Sequence, residues 1–149
     1  ETSRDADRLL AKGINAYQIQ TGSACHLDAF MVHGALHHMD LNPIDICFVE
    51  NVGNLVCPAS YDVGTHKNIV LLSVPEGDDK IEKYPVMFRR ADVVVITKSD
   101  LLPYFDFDIE QAKQQLHKLN PNVELFVLSV KNSDSMNAFA QWISANLER

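Results

Sequence analysis

The feature that most constrains this chain is a pair of short, unbroken apolar runs. They are Ile69-Val70-Leu71-Leu72, closed by Ser73, and Val93-Val94-Val95-Ile96, closed by Thr97. A strand with one wet face alternates apolar and polar residues, and these do not. Both faces must therefore be covered, as in a parallel sheet flanked by helices. Each run is about a strand long and too short for a buried helix. Helical spacing appears between and around them. The pattern predicts strands over 16–20, 44–50, 69–74, 93–97 and 123–129, and helices over 4–12, 27–38, 85–90, 108–119 and 136–147. Gly13, Asn42-Pro43 and Asn120-Pro121 mark stops. The expected architecture is a three-layer α/β domain with a mostly parallel sheet.

A chain of 149 residues suits one domain with a real core. Net charge is -7. That argues against nucleic acid as a partner, which calls for a basic face. No apolar run approaches the roughly 20 residues that span a bilayer, and no signal peptide is read, so a cytoplasmic home is expected. Three cysteines are an odd number and a poor disulfide framework. Cys25 and Cys57 therefore read as metal ligands or free thiols, and Cys47, inside an apolar run, reads as core.

Two strings carry soft ligands. Thr21-Gly22-Ser23-Ala24-Cys25-His26-Leu27 sets a thiol beside an imidazole, and Cys57 follows in Glu50-Asn51-Val52-Gly53-Asn54-Leu55-Val56-Cys57-Pro58. Thiolate plus imidazole suits zinc and nickel. Adjacent Cys-His chelates one ion poorly on a helix, whereas sharing the ion across a two-fold axis removes the strain. A metal-bridged dimer is therefore attractive. His33 and His37, spaced i,i+4, could also hold a metal, although exposed imidazoles near a helix end are the simpler reading.

Other residues suit a nucleotide site. Glu50 ends an apolar run and precedes Asn51-Val52-Gly53, where glycine would let a backbone N–H approach a γ-phosphate. Its carboxylate could reach Mg²⁺ through water. Asp5 and Asp7 could hold Mg²⁺ or position an attacking water, and taken alone read as surface charges. Lys98-Ser99-Asp100 follows a buried strand, and Ser129-Val130-Lys131 follows the next. In that setting Asp100 could accept two hydrogen bonds from a guanine edge while the Lys98 stem lies along the base.

These segments resemble the HypB family, the nickel-incorporation GTPases of [NiFe]-hydrogenase maturation in the SIMIBI class of P-loop NTPases. The matching strings are Asp5-Ala6-Asp7-Arg8, Cys25-His26-Leu27-Asp28-Ala29, Glu50 to Pro58, Pro75-Glu76-Gly77-Asp78-Asp79-Lys80, Lys83-Tyr84-Pro85-Val86-Met87-Phe88 and Lys98-Ser99-Asp100-Leu101-Leu102-Pro103-Tyr104. The resemblance implies that Cys25, His26 and Cys57 bind nickel or zinc where two subunits meet. It makes Asp5 the switch acid, Glu50 the second Mg²⁺-linked acid and Gly53 the γ-phosphate sensor. Lys98, Asp100, Ser129 and Val130 would hold the guanine of GTP. The implied partners are a GTP- and metal-dependent second copy, other hydrogenase maturation proteins and the hydrogenase large subunit.

No G-x-x-x-x-G-K-[ST] phosphate loop occurs in these residues. The family's N-terminal strand and loop are thus expected to be missing, leaving 1–149 as a single G domain truncated at its N-terminus. Alone it is expected not to hydrolyse GTP measurably and to carry unpaired sheet edges. Two other readings are a nucleotide-independent nickel or zinc interaction module and an accessory GTPase for another nickel enzyme such as urease. The Cys-His-Leu string disfavours the latter, whose family uses a Cys-Pro-His motif.

Overall fold

The computed structural model describes residues 3–147. The chain divides into two compact units, Glu1–Thr65 and His66–Arg149.

The second unit contains the sheet. Strands β1 (Ile69–Ser73), β2 (Val93–Thr97) and β3 (Glu124–Val127) run parallel in that order. Ile69 lies beside Val93, and Val93 beside Glu124. The run of β2 behaves as expected, because Val93, Val94, Val95 and Ile96 are all buried. In β1, Val70 and Leu72 are buried while Leu71 is 59% exposed, so the second face of that strand is not fully covered among the described residues. Alternation sends Val93 and Val95 to one face, where Met136, Phe139 and Trp142 of helix α6 (Ser133–Ala145) pack with Phe126. Val94 and Ile96 point to the other face and are equally buried. Helices α3 (Lys80–Lys83), α4 (Pro85–Arg89) and α5 (Ile109–Leu119) contact one another and supply the buried Ile81, Phe88, Ala112 and Leu116. Burying a side chain the size of Ile81, Phe88 or Leu116 contributes about 1.5–3 kcal/mol of transfer free energy.

Caps explain where the helices begin. The Asp108 carboxylate accepts from the Gln111 N–H at 2.9 Å, and the Asn132 side chain accepts from the Ser135 N–H at 3.1 Å. The closing helix therefore starts at Ser133 rather than 136. Sequence reading gave one helix over 85–90, and the structure adds the single turn α3 before it. Tyr84, which precedes Pro85, takes φ -126° and ψ 56°, because a residue before proline avoids the helical region.

The first unit holds α1 (Arg4–Leu10), α2 (Ala29–Leu36) and a 3₁₀ turn over Cys57–Ser60. Gly13 ends the first helical segment at φ 75°. Asp28 caps α2 by accepting from the Met31 N–H at 2.8 Å, so this helix starts two residues later than expected. Two expectations are corrected here. Residues 16–20 and 44–50 form no strand. Their apolar composition suits a pleated surface, but a strand also needs a partner for its N–H and C=O groups, and no described segment of this unit forms a ladder. With the strand goes its core: Cys47 is exposed and Phe48 is 68% exposed. Among the described residues, no helix is long and apolar enough to cross a membrane.

Candidate functional site

The first unit brings the two loops with soft ligands together. The sulfurs of Cys25 and Cys57 meet as a disulfide, with their Cα atoms 6.1 Å apart. This corrects the expectation of free thiols. Ligands of a single ion must converge, and convergence also lets two sulfurs join. His26 stands next to them, its Nδ1 3.8 Å from Cys25 Sγ. The His26 ring lies flat on Tyr61, with centroids 3.6 Å apart and planes 11° off parallel. The sulfurs and the imidazole are thus in one place. With the sulfurs bonded to each other, no set of three or more His, Cys, Asp or Glu side chains among the described residues forms a ready metal cage. Thiolate is the ligand, so this place could bind a soft ion only in its dithiol state.

Two asparagines that sequence reading quoted without a role hold the loops in register. The Asn51 side-chain carbonyl accepts from the Leu27 N–H at 2.8 Å. Asn54 donates to the Cys25 carbonyl at 2.8 Å and accepts from the N–H groups of Val56 at 3.0 Å and Cys57 at 2.8 Å. Asparagine's habit of bonding nearby backbone was the available signal. Leu27, Val32 and Ala59 are buried. Replacing Asn54 by alanine removes three bonds that fix both cysteines, so Asn54→Ala should weaken nickel binding by the reduced chain about 10-fold, as loss of an outer-shell partner does. Equilibrium dialysis checks this, and an unchanged affinity would leave Asn54 no part in the site.

The proposed switch residues are solvent-facing. Asp5 is 91% exposed at its side chain, its carboxylate 3.7 Å from Arg8. Asp7 accepts from Ser3 Oγ at 2.7 Å. Glu50 and Gly53 are exposed. Among the described residues, apart from its chain neighbours, no atom lies within 4 Å of where a Cβ on Gly53 would stand, so local packing does not demand glycine there.

In the second unit, the loops after β2 and β3 lie side by side at the carboxyl ends of the strands, where parallel α/β sheets bind ligands. The Ser99 N–H donates to the Leu128 carbonyl at 3.1 Å, fastening one loop to the other. Lys98 turns the chain with φ 57°, the left-handed region. Asp100 is held from two sides. Ser129 Oγ donates to Oδ1 at 2.6 Å, and Lys131 Nζ donates to Oδ2 at 2.8 Å. The bond from Lys131 first, then that from Ser129, hold the carboxyl below its usual range against an opposing desolvation. A carboxyl lowered in the folded state stabilises above its unfolded pKa, and that support fades as pH falls through the lowered value. Asp100 is therefore an aimed anion at neutral pH. Ser129 is buried, and Val130 is 84% exposed beside it. The structure brings Asp100, Ser129 and Lys131 together. Lys131 was quoted from the sequence only as a neighbour, and its role as the anchoring cation is new.

Comparison with known proteins follows the same lines. Residues 1–127 match the family model for the CobW/HypB/UreG nucleotide-binding domain. The hydrogenase/urease maturation factor HypB of Helicobacter hepaticus is 55% identical over 140 residues, 91% of this chain and 58% of that protein. The hydrogenase maturation factor HypB of Escherichia coli is 43% identical over 143 residues, 96% of this chain and 49% of that protein. The chain thus spans about half to three-fifths of the length of such relatives. Among solved structures, HypB from Helicobacter pylori in complex with nickel is similar with a TM-score of 0.92 and 46% identity, over 100% of this chain and 73% of that one. HypB from Archaeoglobus fulgidus gives 0.90 and 34%, over 99% and 72%.

Proposed function

The chain belongs to the CobW/HypB/UreG nucleotide-binding family, and on that premise we propose that it forms the G domain of a GTP-hydrolysing nickel metallochaperone. The observation that carries this reading is the convergence of Cys25, Cys57 and His26, the ligand types that nickel and zinc share. Its relative from Helicobacter pylori was crystallised with nickel, which makes nickel the cargo of first choice. The family match runs from 1 to 127, across the boundary between the two units, and supports reading 1–149 as one G domain. Asp100, Ser129 and Val130 would take the guanine edge, with Lys98 along its plane. Asp5, Glu50 and Gly53 would serve the γ-phosphate end. Exposed carboxylates are the hard oxygen donors Mg²⁺ prefers, and that ion would supply charge neutralisation for phosphoryl transfer. The protein would work in the cytoplasm as a GTP- and metal-dependent homodimer, with its Cys and His ligands shared between subunits.

The target enzyme has two candidates. [NiFe]-hydrogenase follows from the motifs. Urease also stands, because relatives at 49–55% identity are named as hydrogenase/urease maturation factors.

The test is coupling. Nickel affinity of the whole reduced protein should differ at least about 5-fold between its GTP and GDP forms, the usual lower size of an allosteric coupling. Equal affinities in a competition with a chromogenic chelator would leave only a metal-binding module.

A further inference from the structure

Helix α2 carries a second arrangement of donors, which the proposed function does not use. His33 and His37 are both exposed, and their Nε2 atoms lie 3.0 Å apart. The rings stand at 90° to each other with centroids 4.6 Å apart. Residues four apart on a helix are neighbours by construction, but convergence of the two distal nitrogens also depends on both side-chain rotamers. First-row ions bind imidazole nitrogen at about 2.0–2.1 Å, so two such nitrogens at right angles on one ion stand about 3 Å apart. The observed separation of 3.0 Å matches that spacing. His37 lies just past the last helical residue yet keeps helical φ and ψ, -67° and -17°, so both ligands share one helical frame. That frame is anchored at its start by the Asp28 cap.

We propose that His33 and His37 form a second, two-imidazole site for a late first-row divalent ion, separate from Cys25, His26 and Cys57. Imidazole favours nickel, copper and zinc over magnesium or calcium. Two protein ligands leave the other coordination positions to water, which makes the site weaker and more readily exchanged than one built on thiolates. The third imidazole of the segment, His38, faces elsewhere and stacks on Tyr17 at 5.2 Å.

The inference does not rest on the thiolate site, and its test removes that site. In the full chain carrying Cys25→Ala and Cys57→Ala, Ni²⁺ alone is titrated by calorimetry. The expected result is residual binding that weakens at least about tenfold in His33→Gln and in His37→Gln, since losing a ligand costs no less than losing a residue that merely supports one, roughly 10–100-fold. His38→Gln should bind as the parent does. With Zn²⁺, the Nε2 resonances of both rings should move together in ¹⁵N spectra of the otherwise unmutated helix. A parent-like affinity in either glutamine variant, an equal loss in His38→Gln, or a shift of only one ring would overturn the proposal. The 3.0 Å contact would then be no more than a hydrogen bond between two neutral imidazoles.

Discussion

Replacing either Cys25 or Cys57 by alanine in the reduced chain should abolish tight nickel binding while leaving the fold intact. The expectation follows from where these residues sit. Cys25 is exposed and Cys57 partly so, and neither contributes to the buried sheet of the second unit. Removing a sulfur therefore costs little core. It does remove one of three soft donors, and loss of a ligand should exceed the roughly 10–100-fold penalty of losing an outer-shell partner. Oxidation should act as a third variant. A dithiol reductant attacks the Cys25–Cys57 bond, takes over the disulfide and leaves two thiols that can ionise. The air-oxidised chain should accordingly bind nickel as poorly as Cys25→Ala, and reduction should restore it. The readout is the near-ultraviolet thiolate-to-nickel charge-transfer band together with metal retained after desalting. Equal nickel retention by parent, variants and oxidised chain would show that these sulfurs are not its ligands.

Much of this was legible in the sequence because it depends on local chemistry. Unbroken apolar runs identified β1 and β2 as strands. β2 is covered on both faces, whereas in β1 the Val70 and Leu72 face is buried and Leu71, on the other, is 59% exposed. Lys98-Ser99-Asp100 was placed at a strand end by pattern alone. What failed was non-local. The 44–50 run has the composition of a buried strand, but a strand exists only through the partner that pairs with it, and no residue inside the run encodes that partner. Cys47 was misplaced for the same reason. The odd cysteine count discouraged pairing Cys25 with Cys57, since counting sees number and not proximity. The asparagines were quoted without a role, because a hydrogen bond from Asn54 to a loop 29 residues earlier leaves no periodic trace.

The second large effect is expected at Asp100. A carboxylate offers about four lone-pair positions, and Ser129 and Lys131 occupy two. The rest can accept the two adjacent N–H donors of a guanine edge. Two charge-assisted bonds at about 1.5 kcal/mol each amount to about 3 kcal/mol, or roughly 100-fold in affinity. Asp100→Ala in the whole protein should therefore weaken GDP and GTP by at least that much. ATP, which presents an acceptor and not a donor at the corresponding ring nitrogen, should be little changed. Asp100→Asn is the sharper test. An amide can offer a donor where the carboxylate offered only acceptors, so preference should move from guanine toward xanthine, whose second position is a carbonyl. Acid should weaken guanine binding in the same direction, since protonation turns one carboxylate oxygen into a hydroxyl that faces a donor, and the lowered pKa keeps Asp100 ionised through the neutral range. Fluorescence competition among the four nucleotides checks each point. A fall of GTP and ATP in equal measure would mean that Asp100 acts only by tying the Ser129–Lys131 loop in place, and the base would then be read elsewhere.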